Sequence, residues 1–405
     1  MDIRPIFSAL RRHKTAATLI VLEIALSCAI LSNAVFLIHT RLQLMDRPTG
    51  LAETELVRIQ LADPGTNDSA AARTREDLVA LRALPGVRNA AAVNFLPLGS
   101  AGRSLDVRRT PGESALFESS YYAGDRQLID AMGLNLIAGR HFTPDEFVDW
   151  EALSAPNSKL AIPSVIISHS MAKELFPGQD PLGKSFYAWG DTPITIVGIV
   201  EHLVQPHGAN GPASYTYAML MPVEGAFRNY LLRVSDPAQR AQVLERAVDT
   251  LMRIDPNRTI VRQETLEEMR DSYYRTDVEM AWLLAIVCMA LLVITALGIV
   301  GLASFWVQQR TKQIGVRRAL GATRGHILRY FQTENFLLAT IGIVIGMMLA
   351  YGINLALMER YELARLPAIY LPVGAIALWL LGQASVLGPA RRAAAVPPAV
   401  ATRSV

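Results

Sequence analysis

Four apolar runs constrain this chain more than any other feature. Each is long enough to cross the hydrocarbon core of a bilayer, which takes about 20 residues of helix. They are Thr15 to Ile38, Ala281 to Val307, Asn335 to Met358 and Ala368 to Leu387. The first carries one acid, Glu23, and the other three carry no charged residue. A helix satisfies all its own backbone hydrogen bonds, so each run is read as a spanning helix. The first run is too long for the apolar part of a cleavable signal peptide and lacks a clean small-residue cleavage site. It is expected to remain as an anchor. The only cysteines, Cys28 and Cys288, both lie inside these runs, where they read as small apolar fillers and offer no disulfide framework.

The formal net charge of +3 hides a strong asymmetry. The N-terminal flank, the stretch between the second and third runs up to Glu334, and the tail hold thirteen basic residues against one acid, Asp2. The segment from Arg41 to Asp277 holds 24 basic and 30 acidic residues. Basic flanks stay on the cytoplasmic side. Both termini and the basic loop are therefore expected in the cytoplasm, with the long segment and the short 359–367 loop outside. Because the basic residues flank apolar helices rather than cover a folded surface, no nucleic-acid partner is expected.

The predicted fold class is a membrane α-helical protein of four transmembrane helices, with a large α+β extracytoplasmic domain inserted between helices 1 and 2. The expected layout is a cytoplasmic N-terminus (1–14), a first span (15–38), an outer domain (39–280), a second span (281–307) and a cytoplasmic elbow (308–334). A third span (335–358), the outer loop (359–367), a fourth span (368–387) and a cytoplasmic tail (388–405) follow. Within the outer domain, Thr54–Gln60 alternates as a strand, Arg75–Leu84 reads as a helix and Val87–Phe95 as a strand. The same order recurs in Tyr230–Val234, Pro237–Ile254 behind an Asp236 cap, and Arg258–Arg262. Two β-α-β units, 45–104 and 226–263, thus enclose an inserted part, 105–225, with strands near Ala115–Tyr122, Ser164–Ile167, Ile194–Val200 and Tyr215–Met221. Gly and Pro punctuate the insertion, notably at Gln205–Ala213. From Glu264 no Pro or Gly interrupts the chain up to Leu297, so a stalk helix (264–280) is expected to enter the second span unbroken.

Few residues carry chemistry. Gly178–Ser185 reads GQDPLGKS, a literal match to the phosphate-binding loop pattern. That loop needs a strand leading in and a helix leading out. Here helix-like Ser170–Phe176 precedes it, strand-like Phe186–Ala188 follows, and Pro181 interrupts it, so no nucleotide site is expected. The outer histidines, His141, His169, His202 and His207, show no metal-ligand spacing, and no metal or catalytic residue is expected. Glu23 and Ser27 share one face of the first span, where an acid is costly and is expected to face the helix bundle. Gly342, Gly346 and Ala350 repeat at four-residue spacing on the third span, which predicts close helix packing within or between subunits.

The stretch from Gln308 to Phe336, QQRTKQIGVRRALGATRGHILRYFQTENF, is the most informative. Ile314, Val316, Leu320 and Ile327 supply apolar contacts among basic residues. Gly321 to Thr323 allows a turn, and Thr323 can cap the next helix. The helix leaving the membrane is expected to run to Lys312. This predicts a short amphipathic elbow, either lying on anionic membrane lipid or docking a cytoplasmic partner.

Within it, Gln313–Ala322 (QIGVRRALGA) resembles the signature of MacB-like permeases, also called the FtsX-like family of ABC transporters. The family's usual form begins with Glu where this chain has Gln313. Leu136–Thr143 (LIAGRHFT), Val165–Ser185 (VIISHSMAKELFPGQDPLGKS), Thr195–Val200 (TIVGIV) and the tail GPARRAA at Gly388–Ala394 also look like this family.

The resemblance implies a permease subunit of the bacterial inner membrane that pairs with a second permease copy, identical or not. It implies a docked, separate ATP-binding cassette subunit, which would use ATP and Mg while this chain binds no cofactor. The docking elbow would be Gln313, Ile314, Gly315, Val316, Arg317, Arg318, Leu320 and Gly321, with Arg317 and Arg318 the charges to reverse. Force would pass along the stalk to move a hydrophobic or peptide-like substrate at the periplasmic face, with or without a periplasmic adaptor. The alternative is a scaffold or signalling subunit that regulates a periplasmic partner, such as a cell-wall hydrolase, without transport.

Overall fold

A computed structural model of the chain describes residues 14–62, 70–99, 101–206, 216–361 and 365–397. The chain forms two units, Met1–Asp46 with Thr276–Val405, and Arg47–Arg275.

Among the described residues four helices are long and apolar enough to cross a membrane: Lys14–Met45, Leu266–Gln309, Arg324–Tyr361 and Tyr370–Ala394. The first three outrun the apolar runs that announce them at both ends, and the fourth starts two residues late but runs on to Ala394, because helical backbone continues past the point where side chains turn polar. Leu266–Gln309 is a single helix of 44 residues shared by both units. Its start differs from expectation. Glu264 and Thr265 end a strand instead of opening the helix, since Glu264 lies opposite Arg58 in the sheet. The helix then begins with a reciprocal cap. Thr265 N–H donates to Glu268 Oε2 at 2.8 Å, and Glu268 N–H to Thr265 Oγ1 at 3.2 Å. Its far end also differs: the helix stops at Gln309, and after Arg310 a new helix, Thr311–Ala319, begins.

The second unit is built on a four-stranded sheet. Leu56–Leu61 pairs antiparallel with Asn229–Val234 on one side and with Ile260–Thr265 on the other, and Asn229–Val234 pairs antiparallel with Val87–Val93. In chain order the strands lie fourth, first, third, second. Helix Ala70–Arg82 joins the first two strands and Arg240–Ile254 the last two, which is the split β-α-β, ferredoxin-like arrangement. Strand alternation sorts the sheet's faces. Val57, Ile59 and Leu61 enter the core with Tyr230 and Leu232, beneath Leu78, Leu81, Val243 and Leu251 of the two helices. Arg58, Gln60, Asn229, Arg262 and Glu264 line a cavity on the opposite face.

Residues between the second and third strands form a seven-stranded sheet. Its strands are Ser104–Val107, Phe117–Ala123, Leu136–Gly139, Ser164–Ser168, Ser185–Phe186, Ile194–Val200 and Ala218–Met221. The two sheets share one hydrophobic core, in which Tyr121, Val165, Ile196 and Met219 join the residues named above. Several bounds shift from the sequence expectation. Glu53–Glu55 forms a 3-10 turn, so the first strand starts at Leu56. The alanine-rich residues before Arg75 extend that helix back to Ala70. His207 and most of Gln205–Ala213 lie outside the described residues.

Candidate functional site

The elbow between the second and third membrane helices has a locked face and an open one. On the locked face, Ile314, Ile327 and Phe331 pack with Val307 and with Ala390, Ala393 and Ala394 at the end of the fourth helix. Gly315 is buried beside them. Arg310 pairs with Glu334 at 3.0 Å, their side chains 10% and 2% exposed. Arg318 donates to the Val396 carbonyl, and the Arg317 guanidinium lies 5.1 Å from the centre of the Tyr330 ring. Gly321 turns the chain at φ +97°, a conformation costly for any side chain. Thr323 Oγ1 then accepts from His326 N–H at 3.3 Å to start the third helix.

The open face carries two bare apolar side chains, Val316 at 48% and Leu320 at 83% exposure. Lys312, Gln313, Arg317, Arg324 and Arg329 of the elbow are exposed too. Of the residues expected to form a docking surface, Ile314 and Gly315 therefore hold the elbow together, and Arg318 ties it to the tail. Gln313, Val316, Arg317, Leu320 and Gly321 remain at the surface. Sequence reasoning missed the Arg310–Glu334 pair. A basic residue closing one apolar run and an acid opening the next was the available signal.

Inside the helical unit, the small-residue stripe meets the first helix. A Cβ added at Gly342 would stand 2.9 Å from Ile24 Cβ, and one at Gly346 would stand 2.5 Å from Cys28 Cβ. Ala350 is fully buried, and its carbonyl accepts from Asn33 Nδ2 at 3.1 Å. Ser27 Oγ and Thr295 Oγ1 are hydrogen-bonded at 2.8 Å. The Glu23 carboxylate lies against Gly298, where an added Cβ would fall 2.5 Å from both of its oxygens.

In the α+β unit, the family-like segments are built as architecture. Arg140 grips Glu146 with two hydrogen bonds of 2.8 Å, and Thr143 N–H donates to the same carboxylate at 2.7 Å. The Arg140 bonds, with smaller help from Thr143, hold the Glu146 carboxyl down at about 2. In the GQDPLGKS turn, Gly183 N–H donates to the Ile196 carbonyl at 2.9 Å, and Lys184 lies 4.8 Å from the Phe176 ring centre. The turn is a sheet-edge connection whose amide and lysine are already engaged.

Arg82 joins the four-stranded sheet to the residues beyond it. Its Nη2 donates to the Ala90 carbonyl at 2.7 Å and to Asp125. Burial pushes the Asp125 carboxyl up to about 6 despite Arg82, and Glu224 adds to the rise. A carboxyl whose folded pKa exceeds its unfolded value stabilises the fold when protonated, and that contribution fades as pH rises through about 6. Thermal unfolding of wild type minus Asp125→Asn should therefore show a wild-type deficit of ~1–3 kcal/mol at pH 8 that falls to about half by pH 5 and closes only below about pH 4, the unfolded range. A pH-independent difference would contradict the assignment.

These features define a class: a multi-pass membrane protein with a split α+β unit after its first helix and a basic elbow between its second and third. Residues 17–250 match the MacB-like periplasmic core domain, and residues 285–398 match the FtsX-like permease C-terminal. The chain belongs to the MacB-like, FtsX-like permease family of ABC transporters. The macrolide export ATP-binding/permease protein MacB 1/2 of Paracoccus denitrificans is 27% identical over 98% of this chain and 57% of its own length. MacB of Neisseria meningitidis is 26% identical over 64% of this chain and 38% of its own length. The chain thus spans roughly two fifths to three fifths of these MacB relatives. The uncharacterized ABC transporter permease YknZ of Bacillus subtilis is 24% identical over 71% of this chain and 68% of its own length. The crystal structure of the periplasmic region of MacB from Actinobacillus actinomycetemcomitans aligns with a TM-score of 0.35 at 15% identity. The alignment covers 57% of this chain and 97% of that one.

Proposed function

We propose that this chain is the permease subunit of an ABC transporter of the mechanotransmission type in the bacterial inner membrane. An ATP-binding subunit docks on the elbow and supplies ATP hydrolysis. A second permease copy completes the complex, and a hydrophobic or peptide-like compound is moved at the periplasmic face. The macrolide export named for the MacB relatives favours that substrate class. The charge asymmetry favours a cytoplasmic elbow and a periplasmic α+β unit.

The observation that carries the reading is the elbow's open face. Leu320 and Val316 stand bare on an elbow rich in exposed basic residues, a scaffold whose other face is fixed by a hydrophobic cluster and a buried ion pair. Covering these two side chains in an apolar socket of a partner is favourable, and the exposed basic residues nearby suit an acidic edge on that partner. Helix Leu266–Gln309 supports the relay. Its 44 residues extend about 66 Å at 1.5 Å per residue, more than twice the hydrocarbon thickness. No Pro interrupts it, and its start is capped. The reading is tested by recovery of the ATP-binding subunit with the full chain in mild detergent, wild type against variants at Val316 and Leu320.

A further inference from the structure

The four-stranded sheet of the α+β unit buries one face in the core and turns a charged face toward a cavity of about 340 Å³. That volume lies within the range of small-molecule sites. Alternation along the strands places the charges together: Arg58 lies opposite Glu264, and Gln60 lies between Asn229 and Arg262. We propose that this cavity binds a small anion carrying an apolar group, its acidic head held by Arg58, Arg228 and Arg262. Nothing in the elbow's docking role requires such a site.

Three observations carry the assignment. First, the lining holds three guanidiniums and a single carboxylate, Glu264, a formal excess of two positive charges. Second, Arg58 is 6% exposed, and its Nε has no hydrogen-bond partner, although its Nη2 meets Glu264 at 2.5 Å. A buried guanidinium with an orphaned N–H is costly, and an arriving oxyanion would satisfy it. Burial already works against the Arg58 charge. Glu264 opposes that effect and Arg262 adds to it, leaving its pKa lowered. Third, Phe95, Leu98 and Met269 line the same cavity and offer an apolar wall beside the arginines. A bare inorganic anion would leave that wall wet, whereas an aryl or alkyl group on the anion would cover it.

The test uses the full chain in phosphatidylcholine nanodiscs and isothermal titration calorimetry at low salt. Phenyl phosphate should bind with a Kd below about 1 mM. Inorganic phosphate should bind about tenfold or more weakly, and phenyltrimethylammonium should show no binding. Arg228→Gln with Arg262→Gln should weaken phenyl phosphate by at least about tenfold. Both side chains are exposed, so the Tm should not change, which separates a lost site from a lost fold. Repeating the titration with phosphatidylglycerol in the discs separates two sources of the head group. Displacement identifies the lipid, undisturbed binding a soluble anion, and both support the site. Failure of phenyl phosphate to bind, equal binding by the double variant, or equal binding of inorganic phosphate or the cation would overturn it.

Discussion

Replacing Leu320 and Val316 together by glutamate is expected to release the ATP-binding subunit that we propose docks on the elbow, while leaving the fold intact. Covering a Leu or Val side chain contributes about 1.5–3 kcal/mol. Losing both anchors should therefore weaken docking by at least about a hundredfold. The new carboxylates would also require desolvation wherever the partner presents an apolar socket. The fold should survive because these side chains project away from the Ile314, Ile327 and Phe331 cluster. The measurement is co-purification in mild detergent, with permease Tm recorded alongside. Full recovery of the partner at unchanged Tm would remove the elbow's open face from the docking surface. Reversing Arg317 and Arg318, the change the sequence favours, is a poorer probe. Arg318 holds the Val396 carbonyl and Arg317 lies on Tyr330, so their loss would loosen the elbow itself.

Glu334→Ala will be the most destabilising single substitution at the elbow. It leaves Arg310 buried without its counter-charge, a loss of about 3–5 kcal/mol where a buried pair is broken from one side. The double variant Arg310→Met, Glu334→Leu removes both charges and should recover most of that loss, because apolar pairs of similar volume replace buried ion pairs well. Thermal unfolding in detergent reads both. An unchanged Tm for Glu334→Ala would mean that the pair is solvated, and failure of the double variant to recover would mean that its geometry is what matters. The two experiments separate the elbow's roles, since Leu320 should govern partner binding and Glu334 the stability of the scaffold.

Much of the fold was legible because its signals are long or periodic. The four apolar runs announce the helices, and strands such as Ile194–Val200 declare themselves by β-branched content between turns. The strands of two or four residues, such as Ser185–Phe186 and Ser104–Val107, are too short to show a period, and only pairing with a neighbour defines them. Glu264 and Thr265 show the same limit. Their local sequence suits a helix, and a partner 206 residues earlier in the chain, Arg58, holds Glu264 in the sheet.

At the candidate site, sequence supplied the segment but not its faces. Ile314, Val316 and Leu320 are alike in chemistry. Only the packing of the second, third and fourth helices decides that Ile314 is buried while the other two are bare. The partners of Arg310 and Arg318 lie 24 and 78 residues away, beyond any local pattern. The polar sheet face was hidden for a related reason. Arg58, Arg228 and Arg262 read as scattered charges in the sequence, whereas strand register aligns Arg58 and Arg262 on one sheet face and Arg228, just before its strand, lines the same cavity.

The account rests on the elbow and the α+β unit lying on opposite sides of the bilayer. Single cysteines at Leu320 and Leu160, both exposed, test this with a membrane-impermeant maleimide on intact spheroplasts, since native Cys28 and Cys288 are buried. Leu160→Cys should label at once and Leu320→Cys only after lysis. Labelling of both before lysis, or of neither, would contradict the account.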